Sequence, residues 1–201
     1  MKKLFAILGI VSILFLPIIA HADTGRIDVD GDSTPLQWDI TPFEGTHFSK
    51  IDDGVTAPTA GDVSDYIMTG TNGVQDTFTC TTLEGAGSVT QVIIRTYANW
   101  IMGACDETVS IYMGGGWETP QALGITDSNA WYSTTFSGSW TQSDLDGIKI
   151  QYTAVVTGAM QYINTYSSYG DVTFTEGGGN GGGSTAPYSM NKKGKKLFFI
   201  K

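Results

Sequence analysis

The chain has 201 residues, of which 20 are acidic and 11 are basic, and its net charge is −9. The charges are segregated. Residues 23–176 hold every acidic residue and only four basic ones, a net charge of −16, whereas residues 177–201 carry five lysines. Because so acidic a domain repels phosphate backbones, the composition excludes nucleic acid as a partner of the domain. The length suits one domain with short additions at its ends.

The N-terminal segment has the three parts of a secretory signal peptide. Lys2 and Lys3 supply positive charge, Leu4–Ile19 is apolar, and Ala20-His21-Ala22 is a small-x-small cleavage site. Residues 1–22 are therefore predicted to be removed on export. The predicted location of the protein is the extracellular space or the cell surface, and the periplasm is an alternative. The alternative is a retained membrane anchor. A lipid anchor is not expected, because no lipobox cysteine follows.

Short β-strands are predicted in the first half of the domain, residues 23–176. Asp23–Pro35 is predicted to be a polar arm or an edge strand, and Asp52–Asp65 is predicted to be a loop because glycine and proline punctuate it. Asn72-Gly73 is a strong turn signal. Four runs rich in β-forming residues are predicted to be strands: Trp38–Phe43, Thr46–Ile51, Tyr66–Thr69 and Asp76–Cys80.

The stretch Ser88–Val172 shows the clearest alternation of apolar and polar residues. In Thr108–Met113, for example, Val109, Ile111 and Met113 fall on one face. Sheets with one apolar face must pack against a second sheet, so the pattern predicts an all-β fold, an antiparallel two-sheet β-sandwich of the jelly-roll type. Similar patterns predict the remaining strands: Ser88–Trp100, Trp131–Phe136, Ile148–Ala154 and Met160–Glu176.

One short helix is predicted after Trp140. Thr141 suits its N-cap, and Asp144 stands three residues later in an acidic variant of the capping box. Leu145 is expected to point inward, and Gly147 suits the left-handed position that follows many helix ends.

The C-terminal residues predict a tethered basic tail. Residues 177–187 form a glycine-rich linker, and residues 188–201 combine five lysines with the apolar cluster Leu197–Ile200. Four apolar residues are too few to span a bilayer. The tail is expected to contact an anionic surface or an acidic protein, or to be disordered without a role, or to be a truncated membrane helix. The predicted surface tether consists of Lys192, Lys193, Lys195 and Lys196.

The order of several short motifs over residues 26–176 resembles a jelly-roll module of secreted bacterial proteins and phage structural proteins. The resemblance implies a β-sandwich and carries over no catalytic residue. The motifs are Asp30-Gly-Asp32 with Trp38, Thr46-His47-Phe48 with Ile51-Asp52-Asp53, Ser64-Asp-Tyr-Ile67, Asp76-Thr-Phe78, Val89–Tyr97, Trp131, Ser139-Trp-Thr141 and Asp144–Gly147.

Cys80 and Cys105 are the only cysteines. Export would place them in an oxidising compartment, so they are predicted to form a disulfide. The alternative is a pair of buried free thiols.

No catalytic residue is predicted. His47 is the only histidine after residue 22, and its place between Thr46 and Phe48 in an apparent strand favours a structural role. The acidic residues are numerous, but no spacing pairs two of them as a glycoside hydrolase requires.

Asp28, Asp30 and Asp32 alternate along the chain in a pattern that suits Ca²⁺. The spacing of an EF-hand fails, because Ser33 stands where the loop needs glycine and Asp39 stands at position twelve. Calcium is therefore a candidate cofactor at this stretch, and a solvated acidic arm is the alternative.

Trp100, Trp117 and Trp131 lie near predicted strand ends or loops, where an exposed ring can stack on a sugar. They are candidate glycan-stacking residues, and packing in the core or at its rim is the alternative. The sequence thus favours a secreted, non-catalytic module that binds a polysaccharide or another cell-surface component. A structural assembly subunit and a glycan-cleaving enzyme are the alternatives, and the oligomeric state is left open.

Overall fold

The computed structural model describes residues 22–176, a range built mainly from β-strands. A 3₁₀ helix at Phe48–Lys50 and the α-helix α1 at Gln142–Asp146 are the helices of this range, and neither is long and apolar enough to cross a membrane. The strands are β1 (Ala22–Leu36), β2 (Asp39–Thr41), β3 (Tyr66–Thr69), β4 (Gln75–Cys80), β5 (Ala86–Ile101), β6 (Asp106–Met113), β7 (Gly116–Trp117), β8 (Gln121–Ala122), β9 (Ala130–Thr141), β10 (Lys149–Val155) and β11 (Tyr162–Glu176).

One sheet, called sheet A, is built around β11. This strand pairs along one edge with β5 and along its other edge with both β1 and β3. Beyond β3 lies β2, and beyond β5 lies β9. All these pairs are antiparallel.

The second sheet, called sheet B, shares β1 with sheet A. Residues Ala22–Asp28 of β1 pair with β11, whereas Val29–Leu36 pair with β4. Sheet B then continues through β10 to β6, whose outer edge pairs with the short strands β7 and β8. The predicted arm or edge strand at Asp23–Pro35 is therefore a strand that belongs to both sheets.

The apolar faces of the two sheets meet in a single core. Sheet A contributes Ile94 and Val172, and sheet B contributes Phe78 and Ile150, all of them without solvent exposure. The hydroxyl of Tyr152 in sheet B lies 2.9 Å from Thr96 Oγ1 and 2.5 Å from Ser168 Oγ in sheet A, so the sheets are in contact through polar atoms as well. The predicted β-sandwich with one short α-helix is confirmed.

The segment Thr46–Ile51 was predicted to be a strand, and this prediction is wrong. Its residues include the 3₁₀ helix Phe48–Lys50. The Asp32 carboxylate accepts hydrogen bonds from the backbone N–H groups of His47 (3.2 Å) and Phe48 (2.7 Å). An acceptor at the start of a helical turn stabilises it, because the first N–H groups of the turn have no partner within it. Asp32 lies far from this segment in the sequence, so the local sequence does not predict the turn.

Helix α1 begins as the sequence predicts. The Asp144 carboxylate accepts from the Thr141 backbone N–H at 2.8 Å, the Asp144 N–H donates to Thr141 Oγ1 at 3.3 Å, and Leu145 is fully buried. The prediction for the helix end is wrong, because Gly147 has a φ of −103° and lies outside the left-handed region.

The predicted disulfide is wrong, since Cys80 and Cys105 are both free and buried. Cys80 ends β4 at the same end of sheet B as Tyr112, whereas Cys105 precedes β6 at the opposite end. The intervening length of β6 separates the two ends by about 20 Å, while a disulfide needs Cα atoms within about 7 Å. The Cys105 thiol instead donates to the Tyr162 carbonyl oxygen at 3.5 Å.

Candidate functional site

The structure places the three candidate tryptophans in different environments. Trp100 is partly buried against the core, and its indole N–H donates to the Ile125 carbonyl oxygen at 3.1 Å. Trp131 donates to the Thr59 carbonyl oxygen at 2.7 Å. Trp117 is the most exposed of the three, with 45% of its surface accessible to solvent.

Trp131 belongs to an aromatic cluster that holds a loop on the outer face of sheet A. Its ring lies 5.3 Å from the ring of Tyr97 and 5.4 Å from that of Tyr169. The Tyr169 hydroxyl accepts from the Ala57 backbone N–H at 3.1 Å, so the cluster holds the loop through hydrogen bonds at Ala57 and Thr59. Trp131 therefore packs and anchors the loop, and it is a poor candidate for stacking on a ligand.

A tight hairpin places Trp117 on the outer face of sheet B. The turn between β6 and β7 is formed by Gly114 and Gly115, with φ values of 61° and 82°. Two consecutive positive φ values are the geometry of a hairpin turn in which glycine is favoured. The register sets Trp117 opposite Tyr112, and their ring centroids are 5.4 Å apart in an edge-to-face arrangement.

The solvent face of sheet B continues from this aromatic pair as an array of polar side chains. The register aligns Tyr112 with Lys149 and Thr79 across three strands. Neighbouring strands lie about 4.8 Å apart, so the row from Trp117 to Thr79 extends over about 14 Å. We call this face the polar platform, formed by Gln75, Thr79, Tyr112, Trp117, Lys149, Gln151 and Thr153, whereas Thr77 lies on the same face but is fully buried.

Hydrogen bonds between side chains order part of the polar platform. The Gln151 amide donates to Thr77 Oγ1 at 3.0 Å, and the Gln75 amide donates to Thr153 Oγ1 at 3.2 Å. Amide and hydroxyl groups can donate hydrogen bonds to sugar hydroxyls and accept them, and an ammonium group can donate them. An exposed indole ring can cover the apolar face of a sugar ring. The platform thus combines both kinds of contact on one surface.

A concave region lies in the loop over sheet A. A cavity of about 450 Å³ is lined by Asp52, Asp53, Val55 and Asp62. Partial burial raises the pKa of Asp53 to about 6, and the Asp53 carboxylate accepts from the Asp62 backbone N–H at 2.8 Å. The pKa of Asp62 is lowered by hydrogen bonds from Ser64. The acidic lining of this cavity disfavours anionic ligands.

The structure does not assemble the predicted calcium site. Asp28 forms an ion pair with Arg26 at 2.5 Å, Asp30 accepts from Thr79 Oγ1 at 2.9 Å, and Asp32 accepts from the start of the 3₁₀ helix. Each carboxylate is therefore engaged by a different partner along the extended strand β1. Among residues 22–176, no three His, Cys, Asp or Glu side chains are grouped so that they could hold a metal ion.

His47 forms a short contact with a buried carboxylate that sequence reasoning missed. Its Nδ1 atom lies 2.6 Å from Asp76 Oδ2, and Asp76 Oδ1 accepts from the backbone N–H groups of Gln37 and Trp38. The hydrogen bond to Asp76 raises the pKa of His47. These contacts hold the β1–β2 connection and the 3₁₀ helix against β4, which supports a structural role. A sequence signal was present, because Asp76 shares the core-facing alternation of Phe78 and Cys80.

No protein-family model matches the sequence, and no curated protein matches it. Among solved structures, this chain is similar to CBM35 from Cellvibrio japonicus Abf62, with 19% identity and a TM-score of 0.41 over 77% of this chain and 98% of that chain. The CBM36-1 domain of a multidomain xylanase from the hindgut metagenome of Trinervitermes trinervoides has 9% identity and a TM-score of 0.40 over 75% and 96%. A structure of infectious bursal disease virus, Gx strain, has 12% identity and a TM-score of 0.39 over 80% and 33%.

Proposed function

We propose that the protein is an exported, non-catalytic binding module and that its ligand is a glycan bound on the polar platform. The observation that carries the proposal is the position of Trp117, which is 45% exposed beside Tyr112 at the end of a row of polar side chains. Trp100 and Trp131 are engaged through their indole N–H groups in contacts within the fold. Trp117 is therefore the stacking residue in this proposal.

The shape and chemistry of the polar platform suit an extended, hydroxyl-rich ligand. The face belongs to the sheet formed by β4, β10 and β6, so its side chains are held on regular strands. Sites built on rigid elements hold their contacts more accurately than sites built on loops. Lys149 is the one charged residue of the platform, and its ammonium group can donate hydrogen bonds to sugar hydroxyls.

A glycan array probed with the chain from residue 23 onward tests this function. The Trp117→Ala variant is expected to bind the recognised glycan at least about tenfold more weakly, because an aromatic contact of this size contributes about 1–2 kcal/mol. Phe43→Ala is the matched control, since Phe43 is 82% exposed in the turn after β2. Equal binding by the Trp117→Ala variant and the native chain would contradict the proposal.

A second candidate function is that of a subunit in a structural assembly. The observation that favours it is the long edge of β9, which pairs only with β5 within residues 22–176. An unpaired edge of this length is a template for another strand. Sedimentation of the purified chain tests this function, because an assembly subunit forms species larger than a dimer as its concentration rises, and association that stops at two copies would contradict it.

A further inference from the structure

The strand β9 forms an edge of sheet A that has no partner in the described range. Its residues from Ala130 to Ser137 pair in unbroken register with Ala98–Gln91 of β5. Within residues 22–176, no backbone hydrogen bond joins β9 to any other strand. Along these eight residues, every second residue directs its backbone N–H and C=O groups to the open edge. The open stretch is longer than a typical strand of five or six residues.

The other sheet edges carry features that hinder strand addition. The strand β1 contains Asp30, Asp32 and Pro35 and is broken by two register shifts where it borders sheet B. At the other end of sheet B, the edge of β6 is occupied by two two-residue strands separated by Pro120. The strand β2 has three residues and is followed by Pro42. Charges, prolines, bulges and short strands are the usual protections of a sheet edge.

The sequence of β9 lacks most of these protections. It contains no charged residue and no proline from Ala130 to Thr141, and its one register shift comes after Ser137. Ser133, Thr135 and Ser137 are exposed along the regular part of the strand. Hydroxyl side chains in opposing strands can form hydrogen bonds with each other, so the edge suits a strand of the same composition.

The charge of the domain narrows the choice of partner. Two copies of a domain with a net charge of −16 repel each other, and most surfaces would place carboxylates of one copy near those of the other. The β9 edge presents no charge along its length, so two copies can approach there without opposed charged side chains. Identical strands related by a two-fold axis pair in the antiparallel sense, which continues the antiparallel order of sheet A.

We propose that two copies of this chain pair antiparallel through residues 130–137 of β9 and join their A sheets into one continuous sheet. The dimer is expected to be weak and to depend on concentration. Stable dimers bury about 1,200–2,000 Å², whereas one pair of eight-residue strands forms backbone hydrogen bonds without a large apolar interface. The polar platform lies on sheet B, so the dimer leaves it free and displays two platforms. This pairing does not depend on glycan binding.

Analytical ultracentrifugation of the chain from residue 23 onward tests the proposal. The native chain is expected to dimerise as its concentration rises towards about 1 mM, and added salt is expected to strengthen the dimer because it screens the repulsion between acidic domains. Thr135→Lys and Ser133→Lys each place a charge on the edge and are expected to raise the dissociation constant at least about tenfold. Thr90→Lys is the matched control, since Thr90 is exposed on β5, a strand paired along both edges.

Hydrogen exchange on the native chain provides a readout that needs no variant. Among residues 130–137, the amides that face away from β5 are expected to exchange more slowly as the protein concentration rises, while those of β2 and β7 do not change. A native chain that stays monomeric at the highest concentration would overturn the proposal. Edge variants that associate as tightly as the native chain would also overturn it. Association that weakens in salt would instead indicate attraction between the basic tail and an acidic domain, and it would overturn pairing through β9 as well.

Discussion

Glu107 places a carboxyl group inside the sandwich, where β6 faces β11. The residue is fully buried, its Oε2 atom accepts from Thr165 Oγ1 at 3.0 Å, and its Oε1 atom has no hydrogen-bond partner in the described range. Burial raises the pKa of Glu107 to about 8, because a carboxylate loses its hydration in the core. The buried neutral acid joins the two sheets through one hydrogen bond.

This burial predicts a fold that loses stability as the pH rises from about 4.5 to about 8. The pKa of Glu107 is raised from 4.5 in the unfolded chain to about 8, so its contribution is fully present below pH 4.5 and is lost as the pH rises through about 8. Denaturant unfolding at a series of pH values is expected to show a loss of several kcal/mol across this window. In Glu107→Gln, the amide keeps an acceptor for Thr165 and carries no charge, so this loss is expected to be much smaller.

His47 is an internal check on that experiment. Its raised pKa means that the stability it contributes is present below pH 6.5 and is lost as the pH rises through the higher folded value. The Glu107→Gln variant is therefore expected to keep a small loss of stability near neutral pH. A Glu107→Gln variant with the full loss of the native chain would contradict the role assigned to Glu107.

At the scale of elements, the sequence predicts regular strands well and irregular segments poorly. The alternation in β6 and β10 predicted their bounds to within two residues and their core-facing residues, because successive side chains of a strand point to opposite faces. Ser110, on the predicted polar face of β6, is nevertheless buried. The segment Thr46–Ile51 was predicted wrongly because its helical turn depends on Asp32, which is close in space and distant in sequence. The disulfide predicted between Cys80 and Cys105 was wrong. The prediction rested on the oxidising compartment and on the number of cysteines, and neither indicates at which end of a sheet each cysteine lies.

The capping box of α1 gives a local prediction. Thr141→Ala removes the hydroxyl that accepts from the Asp144 N–H, and it is expected to lower the free energy of unfolding by about 1 kcal/mol. Ser143→Ala is the matched control, because Ser143 is exposed inside the same helix and alanine favours helical structure. Thermal or denaturant unfolding measures both. A Thr141→Ala variant as stable as the control would show that the cap does not stabilise the domain.

At the scale of the whole molecule, charge separates an acidic sandwich from a basic C-terminal segment. Residues 23–176 have a net charge of −16 and residues 177–201 a net charge of +5. The predicted signal peptide, linker and surface tether lie outside the described residues, except for Ala22, and they stay predictions. The polar platform could be predicted only in part, because sequence alternation identifies the polar face of each strand but not the register that aligns three strands with Trp117.

The tail prediction concerns attachment to an anionic surface. Deleting residues 188–201 is expected to reduce retention on vesicles that contain anionic lipid, because each basic residue near such a surface contributes about 1 kcal/mol. Replacing Lys192, Lys193, Lys195 and Lys196 with glutamine is the matched variant, and added salt is expected to have a similar effect. A cosedimentation assay measures retention. Unchanged retention of the deleted chain at low salt would rule out the tether.

The central claim is that the polar platform binds a glycan, and an NMR titration tests it most directly. A pool of neutral and acidic oligosaccharides is added to ¹⁵N-labelled protein with the indole N–H signals of all five tryptophans assigned. The proposed site predicts shifts at the Trp117 indole and at the backbone amides of Lys149 and Gln151, while the buried Trp38 and Trp140 do not shift. Shifts confined to the loop around Asp53 and Asp62, or no shift at any residue, would contradict it.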